Sequence, residues 1–421
     1  MRIVSVIWLF SVATLLGDDW PQFGGPKRDG VWRETGIMQT FPTDGLKVRW
    51  RTPVGSGLSS PIVSGSRVFL CDSERKQPKA WERVHCYDEK SGQQLWMHTD
   101  EVSYPEWAFA PASETGPDGT PLAAGGKLYA VGRVGNIVCL DVRDGAVLWQ
   151  KDLPKDYGTG DIIGTTPSPL IEDNLLILVP GGKPDSCVIA FDKDTGNEVW
   201  RALSDMWTYS SPIVITAGGK RQLIVWTPDA ITSLDPATGK TWWREPRTLH
   251  ADYAVAAPTV WDGLLLAGGL MFQLDPEKPA ASVLWPEDTA KARRSLSNTA
   301  GPLLQGGYVY SHKSQGRLVC LDARTGQQVW EKAKVTDSRS GACIHLIPNG
   351  DCTWLFTDQG DLIRARLTSK DYEELGRAHL LSPTYQFGGR KLLWSPPAFA
   401  NRHVFARSGE ELFCASLEAK P

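Results

Sequence analysis

The segment Cys320-Leu-Asp-Ala-Arg-Thr-Gly-Gln-Gln-Val-Trp330 decides how this chain is read. Its skeleton is Asp, three residues, Gly, three residues, Trp. The same spacing returns as Asp88-Gly92-Trp96, Asp141-Gly145-Trp149, Asp192-Gly196-Trp200 and Asp235-Gly239-Trp243. A further copy, Asp275 to Trp285, is longer by two residues and lacks the Gly, and Trp50 stands alone ahead of the series. Consecutive Trp residues lie 42 to 53 positions apart, the period of propeller blades. An Asp side chain caps the turn that follows it, and Gly supplies the positive φ of a hairpin bulge. The Trp then closes a strand and packs between neighbouring repeats. Five copies at one repeat position make these Asp residues structural rather than metal ligands.

Working outward, each repeat opens on a Pro followed by short β-branched or aromatic runs. Pro61-Ile-Val-Ser-Gly-Ser-Arg-Val-Phe-Leu70 is the first, and the layout returns at Pro121, Pro169, Pro212, Pro258, Pro302 and Pro397. Helical periodicity is absent through this region. Each repeat therefore predicts four short antiparallel strands. Inner strands number eight, after Gly57, Thr120, Ser168, Ser211, Ala257, Gly301, Ser340 and Pro396. The seventh repeat is degenerate, with Pro348-Asn-Gly-Asp as its hairpin turn and no closing Trp. The eighth stops at Phe413-Cys-Ala-Ser-Leu417, where its outer strand should begin. The strand around Trp50, residues 46–52, has no blade of its own and should pair with 411–417. The fold class is thus an all-β, eight-bladed β-propeller of four-stranded antiparallel blades, closed by the N-terminal strand so that no sheet edge is left at the seam.

Ahead of the propeller, Arg2 precedes an apolar run from Ile3 to Leu16 and then Gly17-Asp18-Asp19. That run is too short to cross a bilayer as a helix and reads as a secretory signal. No Cys follows it, so a bacterial lipid-anchor signature is missing. The expected division is 1–17 signal peptide, 18–45 lead-in segment and 46–421 propeller. The mature chain is expected to be exported, periplasmic or secreted, a monomer, and without a transmembrane segment.

Composition narrows the function classes. Of 421 residues, 45 are basic and 48 acidic, a net charge of −3. There is no basic excess to neutralise phosphates, which argues against a nucleic-acid partner. Eight Cys are too few for a disulfide scaffold. Cys86, Cys139, Cys320 and Cys414 share a slot two residues before the repeat's Asp position, which Ala190 and Ser233 also occupy, so the slot is a tight packing position. Cys71 and Cys86 fall on consecutive strands and are candidate cross-strand neighbours. Cys352 is expected opposite Ile347, away from Cys343. The chain carries no G-x-S-x-G, H-E-x-x-H, Walker or C-x-x-C motif, and no catalytic or metal-ligating residue is assigned.

The Cys-Leu-Asp-x-x-Thr-Gly-x-x-Val-Trp blocks, and the opening Trp20-Pro-Gln-Phe-Gly-Gly-Pro-Lys-Arg-Asp-Gly30, resemble the PQQ-like, quinoprotein-type β-propeller family of secreted bacterial proteins. The resemblance covers about residues 20 to 417. It implies one of two functional poles. One is a dehydrogenase that holds pyrroloquinoline quinone and Ca²⁺ in the central funnel, commonly under a disulfide of adjacent cysteines. The other is a non-catalytic scaffold, like the propeller lipoprotein of outer-membrane assembly. This chain has no adjacent Cys pair and offers only isolated acids, Glu106, Asp161, Asp205 and Asp252, in the relevant connections. The expected function is therefore an exported, non-catalytic scaffold that binds a protein, small-molecule or polymer partner, such as a cell-envelope ligand, on its funnel face without a cofactor. A divergent quinoprotein oxidoreductase is the alternative.

The funnel face is made by connections from one blade's outer strand to the next blade's inner strand: 97–119, 150–167, 201–210, 244–256, 286–300, 331–340 and 376–395. They supply the candidate ligand-binding set Trp107, Asp161, Trp207, Tyr209, His250, Asp252, Tyr253, Arg293, Arg294, Arg339 and Trp394. Rigid blades presenting loops are a common binding architecture. Trp50, Trp96, Trp149, Trp200, Trp243, Trp285 and Trp330 are assigned to structure.

Overall fold

The computed structural model describes residues 18–110, 113–159, 167–247, 255–286, 296, 299–313, 315–336 and 341–419. Eight four-stranded antiparallel sheets follow one another around a ring. Blade 1 holds Ile62–Ser64, Arg67–Lys76, Lys79–Asp88 and Gln94–Val102, and blade 2 runs from Leu122–Ala124 to Val147–Asp152. Blades 3 to 7 open on the inner strands Leu170–Glu172, Ile213–Ala217, Thr259–Trp261, Leu303–Gln305 and Ile344–Asn349. Blade 8 is closed as expected: Val48–Pro53 pairs antiparallel with Glu411–Ser416, with Trp50 opposite Cys414.

The repeat's geometry explains its sequence. In five of the blades, Asp88, Asp141, Asp192, Asp235 and Asp322 accept backbone N–H bonds of 2.8–2.9 Å from residues two or three positions on. The Gly that follows has φ of 70–74°. A second requirement on that Gly comes from the neighbouring blade. A Cβ on Gly92, Gly145, Gly196, Gly239 or Gly326 would lie 2.5–2.7 Å from the indole of Trp50, Trp96, Trp149, Trp200 or Trp285. Each of these indoles also donates its N–H to the carbonyl one residue after the neighbour's Asp, such as Trp50 to Glu89 at 2.8 Å and Trp285 to Ala323 at 2.8 Å. The Trp of one blade is thus clamped on the Asp-turn of the next. Blade 5, which lost the Gly, breaks the pattern. Trp243 turns its N–H to Gln222 of its own blade at 3.0 Å.

The small slot has an equally local cause. Cys86, Cys139, Ala190, Ser233, Cys320 and Cys414 stand opposite the closing Trp of their own blade. A β-bulge follows immediately in the first five of these blades. All eight Cys are buried and free. Two pairings differ from expectation. Cys71 faces Val84 while Cys86 faces Phe69, because the register sets the two cysteines two positions apart. Cys352 faces Asn349, and Ile347 faces Trp354, because the hairpin turns tightly on Gly350-Asp351. One short helix, Leu153–Tyr157, interrupts the strands; Asp152 caps it by accepting from Lys155 N at 3.1 Å, and Gly158 ends it at φ 63°.

The lead-in is a plug. Trp20 exchanges both backbone bonds with Val63, on the free edge of blade 1's inner strand, at 2.9 Å. Pro21 O accepts from Ala123 of blade 2. The half-buried Arg28 then reaches across to the carbonyls of Ser168, Pro169 and Pro212 in blades 3 and 4, each at 2.8 Å. With no acid beside it, burial lowers its pKa to about 9. The segment leaves beside blades 7 and 8, where Trp32 packs on Trp354 and Phe399 and Asn349 donates to the carbonyls of Trp32 and Glu34. Chain 20–37 therefore fills the axis from the hairpin side, opposite the connections that form the funnel. Residues 1–17, where a signal peptide is expected, lie outside the described residues.

Candidate functional site

On the funnel side the inner strands are tied together by hydroxyls. The N–H of Ser60 is bonded by Thr120 Oγ1, that of Thr120 by Ser168 Oγ and that of Ser168 by Ser211 Oγ, at 3.4, 3.0 and 3.1 Å. Ser210 continues the chain to Ala256 O of blade 5, Thr299 links to Ala342 of blade 7, and Ser395 links blade 8 back to Leu58. The signal for this belt was visible in the sequence as Ser/Thr directly before Pro61, Pro121, Pro169 and Pro212. It makes a rigid rim from which the connections project.

Between blades 1 and 4 this rim carries a buried polar network that the sequence did not single out. Glu82, on the long hairpin of blade 1, accepts from Tyr104 Oη at 2.7 Å and from Arg133 N at 3.0 and 3.1 Å. Burial raises its pKa to about 7, against the pull of those donors. Arg133 is ion-paired with Asp118 and hydrogen-bonded to Tyr209. Tyr209 meets Trp207 edge-on, with ring centroids 5.7 Å apart. One sequence-chosen pair, Trp207 and Tyr209, is thus joined to groups from blades 1 and 2. Next to it, Asp72 is held by Arg83 at 2.7 and 2.9 Å and by His85 at 2.9 Å. Burial alone would raise its pKa, yet hydrogen bonds and charge from His85 and Arg83 hold it well below the usual carboxylate range.

The remaining candidates divide. Trp107 sits on the 3-10 turn Glu106–Phe109 and is 59% exposed, the largest such exposure among the described apolar side chains. Trp394 lies across the ring between blades 7 and 8, with the tilted rings of Tyr385 and Phe387 packed on it at 4.9 and 5.0 Å, and donates to Gly341 O at 2.9 Å. It is not brought to the Trp207 cluster. Asp161, His250, Asp252, Tyr253, Arg293, Arg294 and Arg339 fall outside the described residues. Of the isolated acids, Asp205 has both oxygens engaged, by Arg244 at 2.9 and 3.0 Å and Thr227 at 2.7 Å. Asp205 and Glu106 do not form a common ligand set: one is locked onto blade 4 and the other sits on the blade 1–2 connection. Among the described residues no group of three or more His, Cys, Asp or Glu side chains is gathered as a metal site.

The family model described as outer membrane protein assembly factor BamB matches residues 80–332 and 184–416. The chain belongs to this PQQ-like propeller family. The BamB of Burkholderia pseudomallei is 26% identical over 53% of this chain, and the matched region spans only 56% of that protein. The BamB of Bordetella pertussis is 25% identical over 72% of each chain. Among solved structures, the quinohemoprotein alcohol dehydrogenase of Comamonas testosteroni superposes with a TM-score of 0.63 at 15% identity, covering 96% of this chain and 81% of its own. That last likeness shows the fold alone.

Proposed function

We propose that the chain is an exported, non-catalytic propeller scaffold that docks a protein partner on its funnel face, in the assembly of outer-membrane proteins. The family match carries this reading, since the matching model and the relatives bear the name of an assembly factor. The structure supports it in two ways. The rim is preorganised by the hydroxyl belt, and exposed Trp107 and half-buried Trp207 stand on connections of the same face, the kind of aromatic anchors that protein interfaces use. Asp205, one of the isolated acids of the connections, is engaged by Arg244 and Thr227.

Photo-crosslinkers at Trp107 and Trp207, and at Lys220 on the hairpin side as a control, test the reading in cells. The expected result is a specific adduct with an outer-membrane assembly component from the first two positions and none from Lys220. Charge reversal at Arg293 and Arg294 is expected to weaken it. Adducts of equal yield from all three positions would refute the docking face. Quinone-dependent dye reduction by the reconstituted protein, lost on Asp161→Ala or Asp252→Ala, would refute the non-catalytic reading.

A further inference from the structure

A cleft of about 500 Å³ opens beside the seam where the ring closes, within the range of small-molecule sites. Its walls are the linker Val54-Gly55-Ser56, the tip of blade 1's long hairpin with Ser73, Glu74, Arg75 and Gln77, and Phe109-Ala110 of the next connection. The floor is built rather than incidental. Ser56 and Ser73 exchange backbone bonds at 3.1 and 2.7 Å. Gly55 N donates to Asp72 Oδ2 at 2.6 Å, and Gly55 O accepts from the buried Arg407 at 2.5 Å. A Cβ at Gly55 would lie 2.2 Å from Ser73 O, so the linker is pressed flat onto the hairpin.

The charges around the cleft are unevenly paired. Arg83 is consumed by Asp72 and Glu74, and Glu74 is shared with Lys76. Arg75, in contrast, gives its N–H groups to neutral oxygens: Ser56 Oγ at 3.1 Å and the carbonyls of Ala108 and Ser113. Glu114 acts electrostatically on both Arg75 and Arg407, and it is itself hydrogen-bonded to Thr384, packed on Gly409 and subject to the charge of Glu410. Arg407 feels Asp72 most strongly, and Arg75 is the cation in the cleft wall without a carboxylate contact. A half-buried guanidinium held only by carbonyl and hydroxyl dipoles is stabilised further by a negative group.

We propose that this cleft binds a small molecule through a carboxylate or phosphate group placed at Arg75, with the Gln77 amide and the Phe109 ring on its flanks. The site shares Phe109 and Ala110 with the connection that carries Trp107, but anion binding at Arg75 does not depend on the docking reading. Because its walls join the closure linker to blade 1, an occupant also ties the two sides of the seam together and raises the melting temperature.

Isothermal titration of the mature chain with succinate, inorganic phosphate and neutral ribose tests it. Saturable binding of at least one oxyanion is expected with Kd of about 1 mM or tighter, and none of ribose; which anion binds tells a carboxylate ligand from a phosphate one. Arg75→Gln is expected to weaken binding tenfold or more, and Arg75→Lys to stay within threefold. Ala110→Asp adds a repelling charge at an exposed position of the wall and is expected to match Arg75→Gln; it decides the matter alone where Arg75→Gln does not fold. Failure of both anions to bind, equal binding of ribose, or parental affinity in Ala110→Asp would overturn the proposal.

Discussion

Glu82 shows at residue scale how burial competes with hydrogen bonding. Its carboxylate accepts from two donors, Tyr104 Oη and Arg133 N, within 3.1 Å, yet its pKa is raised to about 7 because it is cut off from water. A raised folded pKa means that the folded state holds the proton more tightly than the unfolded chain. The stability it contributes is complete below the unfolded value and is lost as pH rises through about 7. Thermal melts from pH 5 to pH 8 are therefore expected to fall in the parent, with a smaller fall in Glu82→Gln. Equal slopes for the two proteins would contradict this assignment. The repeat's Gly is doubly constrained at the same scale. Gly326→Ala would meet both a φ of 71° and the Trp285 ring at 2.7 Å. It is expected to destabilise more than the intrinsic cost of Ala at positive φ, about 1 kcal/mol, as read by chemical denaturation.

At element scale, the Trp wedges join one blade to the next. Trp149→Ala or Trp200→Ala removes a packed indole and an N–H bond to the neighbouring Asp-turn, with an expected loss of about 3–5 kcal/mol. Trp243 is bonded to Gln222 in its own blade instead. Trp243→Ala and Gln222→Leu are therefore expected to be less than additive, since both remove the same bond, while Gln222→Leu alone also loses the bonds to Ser233 and Ala217. Urea unfolding of the single and double variants checks this; additive losses at Trp243 and Gln222 would show that the two do not couple.

For the whole molecule, two features hold the ring: the seam strand and the plug. A chain starting at Thr52 loses both, and is expected to expose the edges of Glu411–Ser416 and of blade 1's inner strand. A chain starting at Leu46 keeps the seam strand and loses only the plug. It is expected to stay closed, melt lower, and bind a hydrophobic dye, since Phe399, Trp354 and Val63 lose their cover. Identical melting of the Leu46 chain and the mature protein would show that the plug adds nothing. Arg28→Ala, which leaves the Ser168, Pro169 and Pro212 carbonyls without their donor, is expected to lie between the two.

The repeat, the eight blades and the closure at Trp50 were legible in the sequence, because a propeller blade is a local object. The Asp-cap and the Gly act within a few residues, and a period copied along the chain carries its own register. The small residue opposite Trp330 was legible as a slot, although its reason, the indole across the strand pair, was not. What the tertiary structure decided is of another kind. The opening Trp20-Pro-Gln-Phe segment reads as a bare lead-in, and only the ring supplies the free strand edge of Val63 and the distant carbonyls of blades 3 and 4 that turn it into a plug. The joining of Glu82, Arg133 and Tyr209, and the cleft at Arg75, depend on residues from three or more segments meeting above the rim. No spacing rule links those positions, since the contacts arise from ring closure rather than from the repeat. Local sequence therefore determined the blade, and the closed ring determined the sites.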